Sequence, residues 1–211
     1  MDDVVAFDRL CRTVYVAGRA GVVGCADAFD LAASLLTARP ADRDVSELAS
    51  LSIGCEQTSR PRMAELALTV LEAIEFVPGF SEEPLWLARI EDALRLVNQD
   101  LAASGLCQTC LLRVQEDGPG LTGNAYIETW NGHTGTGQGI FPASGADPVT
   151  ALTAVAEDAQ DAVMQALWSV WPACPVHQIG VNARDRAKAA VWWCAGDGGH
   201  SVTAIGEWHG H

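Results

Sequence analysis

Lysine is nearly missing from this chain. Lys188 is the single lysine among 13 basic residues, set against 27 acids, for a formal net charge of −14. Between Arg113 and Arg184 there is no lysine or arginine at all, yet seven Asp or Glu. Such a surface repels phosphate backbones, so DNA and RNA binding are not expected. An acidic face suits a basic protein partner, or simply a solvated surface. Long hydrophobic runs are missing too. None reaches the roughly 18 apolar residues of a membrane span, so no membrane association is expected. The first residues, MDDVVAFDRL, carry acids where a signal peptide has its basic segment, which predicts the cytoplasm.

Several catalytic signatures are also lacking. There is no H-E-x-x-H, no G-x-S-x-G, and no H-x-E combined with P-C-x-x-C. The glycine-rich stretch GHTGTGQG has no lysine after its glycines. It runs into Ile140-Phe141-Pro142 rather than a helix, so it reads as a hairpin loop and not a phosphate cradle, with His133 a loop residue. Cysteine is present seven times, an odd and irregularly spaced set that makes a poor disulfide framework. In a reducing compartment such cysteines are expected as small core hydrophobes, unless they cluster with histidine.

The first half reads as helix. CADAFDLAASLL, DVSELASL and PRMAELALTVLEAIEF carry apolar residues at helical spacing, the last opening on Pro61 and stopping before Val77-Pro78-Gly79. SEEPLWLARIEDALRLVNQDLAAS follows, with Ser81 as the expected N-cap and Gly105 as the stop. Residues 1–105 are therefore expected as an α-helical region. Residues 106–211 are expected as an α+β region, either separate or forming one compact unit with the helices. In that second half LCQTCLLRVQE and NAYIETW read as strands around the turn DGPGLTG. AAVWWC and HSVTAIGEW read as strands around AGDGG. Between them a long helix is expected from the N-cap Asp147, with Pro148 in its first turn, to about Trp171. The fold class is thus α+β: a helical N-terminal region packed on a small antiparallel sheet, one long helix, and a ribbon-like C-terminal hairpin.

One face of the long helix carries Leu152, Val155, Ala159, Val163, Ala166 and Val170, and the other Glu157, Asp158, Asp161 and Gln165. Met164, Trp168 and Trp171 fall on or beside the polar side. Either the tail folds back over them, or a partner docks on Trp168, with Glu157, Asp158 and Asp161 as its acidic contacts.

The sharpest motif is CPVHQIGVNARDRAKAAVWWCAGDGGH. It pairs Cys174 with His177 and Cys194 with His200, the donor types that tetrahedral zinc requires. The second spacing is longer than usual, and Asp197 is the possible substitute for His200. Cys107-Gln-Thr-Cys110 is a second cysteine pair. Because it leads into a strand, core packing is expected over a share of the metal or a redox role. The terminal Trp208-His209-Gly-His211 is at most an adventitious metal binder.

The tail CPVH…VWWC…GH, ending in an IGEW strand, resembles C-terminal tails of uncharacterised proteins from high-GC bacteria, and zinc ribbons in general. The resemblance covers only the residues from about Cys174 onward and implies a zinc-binding tail without a defined activity. The expected function is an acidic, cytoplasmic, non-enzymatic interaction or accessory protein, immunity-like in charge, with a structural zinc. The alternative is a zinc-dependent hydrolase or small-molecule enzyme using Cys174, His177 and Cys194 with an open fourth position.

Overall fold

The computed structural model describes residues 2–116 and 122–209. Residues 117–121 of the expected DGPGLTG turn, and His211, lie outside the described residues. The fold is mixed α+β, and the chain divides into two compact units, residues 1–78 and 79–211.

The first unit holds α1 (Asp2–Arg19), α2 (Cys25–Leu36), α3 (Arg43–Gly54) and α4 (Arg60–Ala73). Asp42 caps α3 by accepting the N–H groups of Asp44 and Val45, and Pro61 occupies the first turn of α4. Val14, Leu31, Leu48, Met63, Leu66 and Leu71 bury their side chains against one another, giving these helices a core of their own. A disulfide joins Cys25, at the start of α2, to Cys55, just past α3. This corrects the expectation of seven reduced cysteines. Spacing along the chain carries no information about two helix ends that packing brings together.

The second unit holds α5 (Pro84–Ala103), β1 (Leu111–Glu116), β2 (Thr122–Glu128), α6 (Pro148–Leu167), β3 (Val181–Arg186), β4 (Ala189–Cys194) and β5 (His200–Ala204). β1 and β2 form one antiparallel pair; β3, β4 and β5 form a second antiparallel sheet in that order. Helix α6 packs against α5, β2, β3 and β4. The core combines Ile90, Val97 and Leu101 from α5 with Ile127, Val155, Val163 and Trp192. The helical stretch does run to Ala103, as expected. The break between compact units nevertheless falls at Pro78–Gly79, because the apolar face of α5 is buried among α6 and the strands.

Three local expectations change. Helix α5 begins at Pro84 with Glu83, not Ser81, in the cap position. Helix α6 starts as read, with Asp147 accepting the N–H groups of Val149 and Thr150. It ends at Leu167 rather than near Trp171, because Trp168 turns to a left-handed backbone (φ 52°, ψ 34°). β3 is a strand that the alternation pattern did not single out.

Candidate metal centre

The segment after α6 runs through the buried Trp171 to Cys174 and makes a tight turn. The Cys174 N–H donates to the Ile179 carbonyl and the Gln178 N–H donates to the Cys174 carbonyl, both at 2.8 Å. Pairing of Ala173 with Gly180 closes this turn and leads directly into β3. The β3–β4 register then sets Val181 opposite Cys194, and the β4–β5 register sets Cys194 opposite His200. Two reversals of the chain thus deliver Cys174 and His177 from one side, and Cys194 and His200 from the other.

The four ligand atoms all lie within 4.8 Å of one another, so the cluster can hold a metal ion. Cys174 Sγ is 3.7 Å from His177 Nδ1 and 3.6 Å from His200 Nε2, and His177 Nδ1 is 3.2 Å from Cys194 Sγ. Both sulfurs are fully buried, and both imidazoles are half-buried. Asp197, the possible substitute, is exposed and outside the cluster.

The electrostatics favour thiolate at Cys174. Burial pushes the Cys174 thiol up, but the N–H groups of His177 and Val176 and the side chains of Cys194 and His177 outweigh it, bringing it to about 6. Cys194 moves up, through burial first and then through the neighbouring Cys174 sulfur, although the Gly196 N–H donates to it at 3.3 Å. The two sulfurs therefore titrate as a pair, Cys174 first. Two glycines let the second turn close on the site. A Cβ on Gly196 would lie 2.6 Å from the His177 ring, and Gly199 (φ 62°) would place one 2.8 Å from Trp193.

Other candidate residues fall elsewhere. Cys110 is buried in the core, as expected, whereas Cys107 is exposed, and neither joins the cluster. His209 is exposed and also outside it. Trp171 is buried, edge-on to Trp192 of the tail, and Met164 is half-buried. Trp168 is 91% exposed, so the packing expectation fails at that residue. The acids opposite the core are not one free face. Asp158 accepts the Ile127 N–H at 2.8 Å, and burial pushes its carboxyl up; Asp161 accepts the Thr136 hydroxyl at 3.0 Å. Glu157 remains exposed and, with Asp158, Asp161, Asn182 and Arg184, lines one part of a mixed polar and apolar cleft of about 620 Å³.

Sequence reasoning passed over Asp100. It is fully buried on α5, and its carboxylate accepts Trp192 Nε1–H at 2.7 Å and the N–H groups of Gly206 and Trp208 at 2.8 Å each. Burial moves this carboxyl up, against those three donors. The available signal was its place on the apolar stripe of α5, three residues after Val97 and beside Leu101. Compared with family models, curated proteins and solved structures, the chain matches none of them.

Proposed function

We propose that Cys174, His177, Cys194 and His200 bind a structural zinc ion, and that the protein is an acidic, non-enzymatic interaction or accessory protein built on that tail. The observation that carries the zinc reading is the donor set and its spacing. A tetrahedron with Zn–S near 2.3 Å and Zn–N near 2.1 Å has S···N edges of about 3.6 Å. Three of the four S···N distances here are 3.2, 3.6 and 3.7 Å, and the fourth lies within 4.8 Å. Two cysteines and two histidines also suit zinc over the oxygen-seeking calcium and magnesium. When bound, the ion supplies a crosslink between the turn before β3 and the β4–β5 reversal, and its binding energy becomes folding energy.

The zinc-enzyme alternative needs three protein ligands and an open position. It loses support because His200 stands within reach as a fourth ligand. The interaction reading draws on the charge of −14 and the cation-free span from 114 to 183. The Cys25–Cys55 disulfide weighs against a strongly reducing compartment, and no helix among the described residues is long and apolar enough to cross a membrane.

Elemental analysis of purified protein, with cobalt substitution to read the ligands, tests the site. The expected result is a single zinc per chain and a tetrahedral cobalt spectrum with two thiolates, lost in Cys174→Ala. A folded protein without metal, or a cobalt spectrum with an exchangeable water ligand, would overturn the structural reading.

A further inference from the structure

The end of α6 combines two unfavourable choices at one residue. Trp168 adopts a left-handed backbone that bulky side chains rarely take, and its ring is 91% exposed. Nothing among the described residues offsets either. Trp193 has the Arg186 guanidinium 4.5 Å from its ring centre, while no ring or cation contact is made by Trp168. Beside Trp168 opens a groove of about 700 Å³, whose apolar part is Met164, Trp168 and Val170. Val170 is 55% exposed, so the apolar surface runs from the groove toward the metal-binding turn. The other part of the groove carries Asp161, with Thr136 and His133. No lysine or arginine lines it.

This charge distribution selects among occupants. A second copy would bring the same net charge of −14 to an acidic groove, and an anionic lipid surface would be repelled. A cationic segment is attracted by Asp161 and also binds favourably over an indole face. Resting on the interaction reading above, we propose that this groove docks a basic segment of a partner protein. An apolar side chain of that segment packs against Met164, Trp168 and Val170, and its lysine or arginine pairs with Asp161 and the Trp168 ring. Val170 lies four residues before Cys174, where the turn of the proposed metal site begins.

Selection of phage-displayed random dodecapeptides on the metal-loaded full chain tests this, followed by anisotropy titration of the enriched peptide, fluorescein-labelled. The expected peptides carry lysine or arginine within one turn of an apolar anchor. Their Kd should rise about tenfold or more in Trp168→Ala and about threefold in Asp161→Asn, and fall back toward the original value in Trp168→Phe. Trp168→Ala should melt with the unaltered protein, which separates lost contact from lost fold. Failure to enrich any peptide family on a folded, metal-loaded chain overturns the groove while leaving the zinc reading intact. Enriched peptides lacking cations, or binding indifferent to both substitutions, overturn it as well. So does a dimer in sedimentation velocity that Trp168→Ala dissolves, because the occupant would then be a second copy.

Discussion

Asp100 sits where helix α5 should be apolar, and its cost is offset by three N–H donors from the C-terminal segment and β4. Removing the carboxylate leaves the buried Trp192 indole N–H and two backbone N–H groups unpaired. Asp100→Ala should therefore lower stability by about 3–5 kcal/mol, as for other broken buried networks. All seven tryptophans lie in the second unit, so tryptophan-detected urea unfolding measures this change where it occurs; a loss under 1 kcal/mol would contradict the network. Gly196 makes the opposite point, since what matters there is an absent side chain. The extra methyl of Gly196→Ala meets the His177 ring at 2.6 Å. Competition against a chromophoric chelator should show metal affinity reduced by about tenfold or more, and unchanged affinity would mean that the ring yields without cost.

At the scale of elements, the disulfide and the proposed metal site lie in different places. A metal held by the cysteine–histidine cluster would tie the turn before β3 to the β4–β5 reversal. Chelation, or Cys174→Ala, should release that tie and lower the tryptophan-detected melting temperature, because β3–β5 share the core that holds Trp171 and Trp192. A melting curve unmoved by chelator would show the metal to be dispensable. The disulfide instead closes a separation of 30 residues within the four-helix unit. Chain-entropy arithmetic for such a loop gives about 3–4 kcal/mol. Cys25→Ser should lower helix stability by that order in far-UV circular dichroism and leave metal content untouched. The residue pattern did not single out α1, but it made α2 to α6, the Asp147 cap, the strand AAVWWC and the first five residues of the expected strand HSVTAIGEW legible. It hid the disulfide, because helical spacing orders side chains within one helix and says nothing about which helix ends meet.

For the molecule as a whole, charge is the dominant surface property. With −14 overall and no cation between 114 and 183, labelled DNA and RNA should show no saturable binding in anisotropy titrations at physiological salt. Micromolar affinity with a steep salt dependence would contradict this. The division into two compact units assigns the groove beside Trp168, the cleft and the cysteine–histidine cluster to residues 79–211, and the disulfide to residues 1–78.

Composition and spacing alone determined the charge, the α+β class, the start of α6 at Asp147 and the membership of Cys174, His177 and Cys194 in one candidate site. These are local properties: a cap needs its own next turn, and a Cys-x-x-His pair spans a single reversal. Tertiary structure decided what depends on register and burial. His200 completes the cluster instead of Asp197 because β4–β5 pairing sets it opposite Cys194. Asp158 turns from solvent to the Ile127 N–H because β2 packs on α6. Trp168 points outward while Trp171 is buried because the helix ends at Leu167 and Trp168 itself takes the left-handed conformation. These outcomes depend on strand register, on contacts between elements and on where the helix ends, which the order of neighbouring residues does not fix.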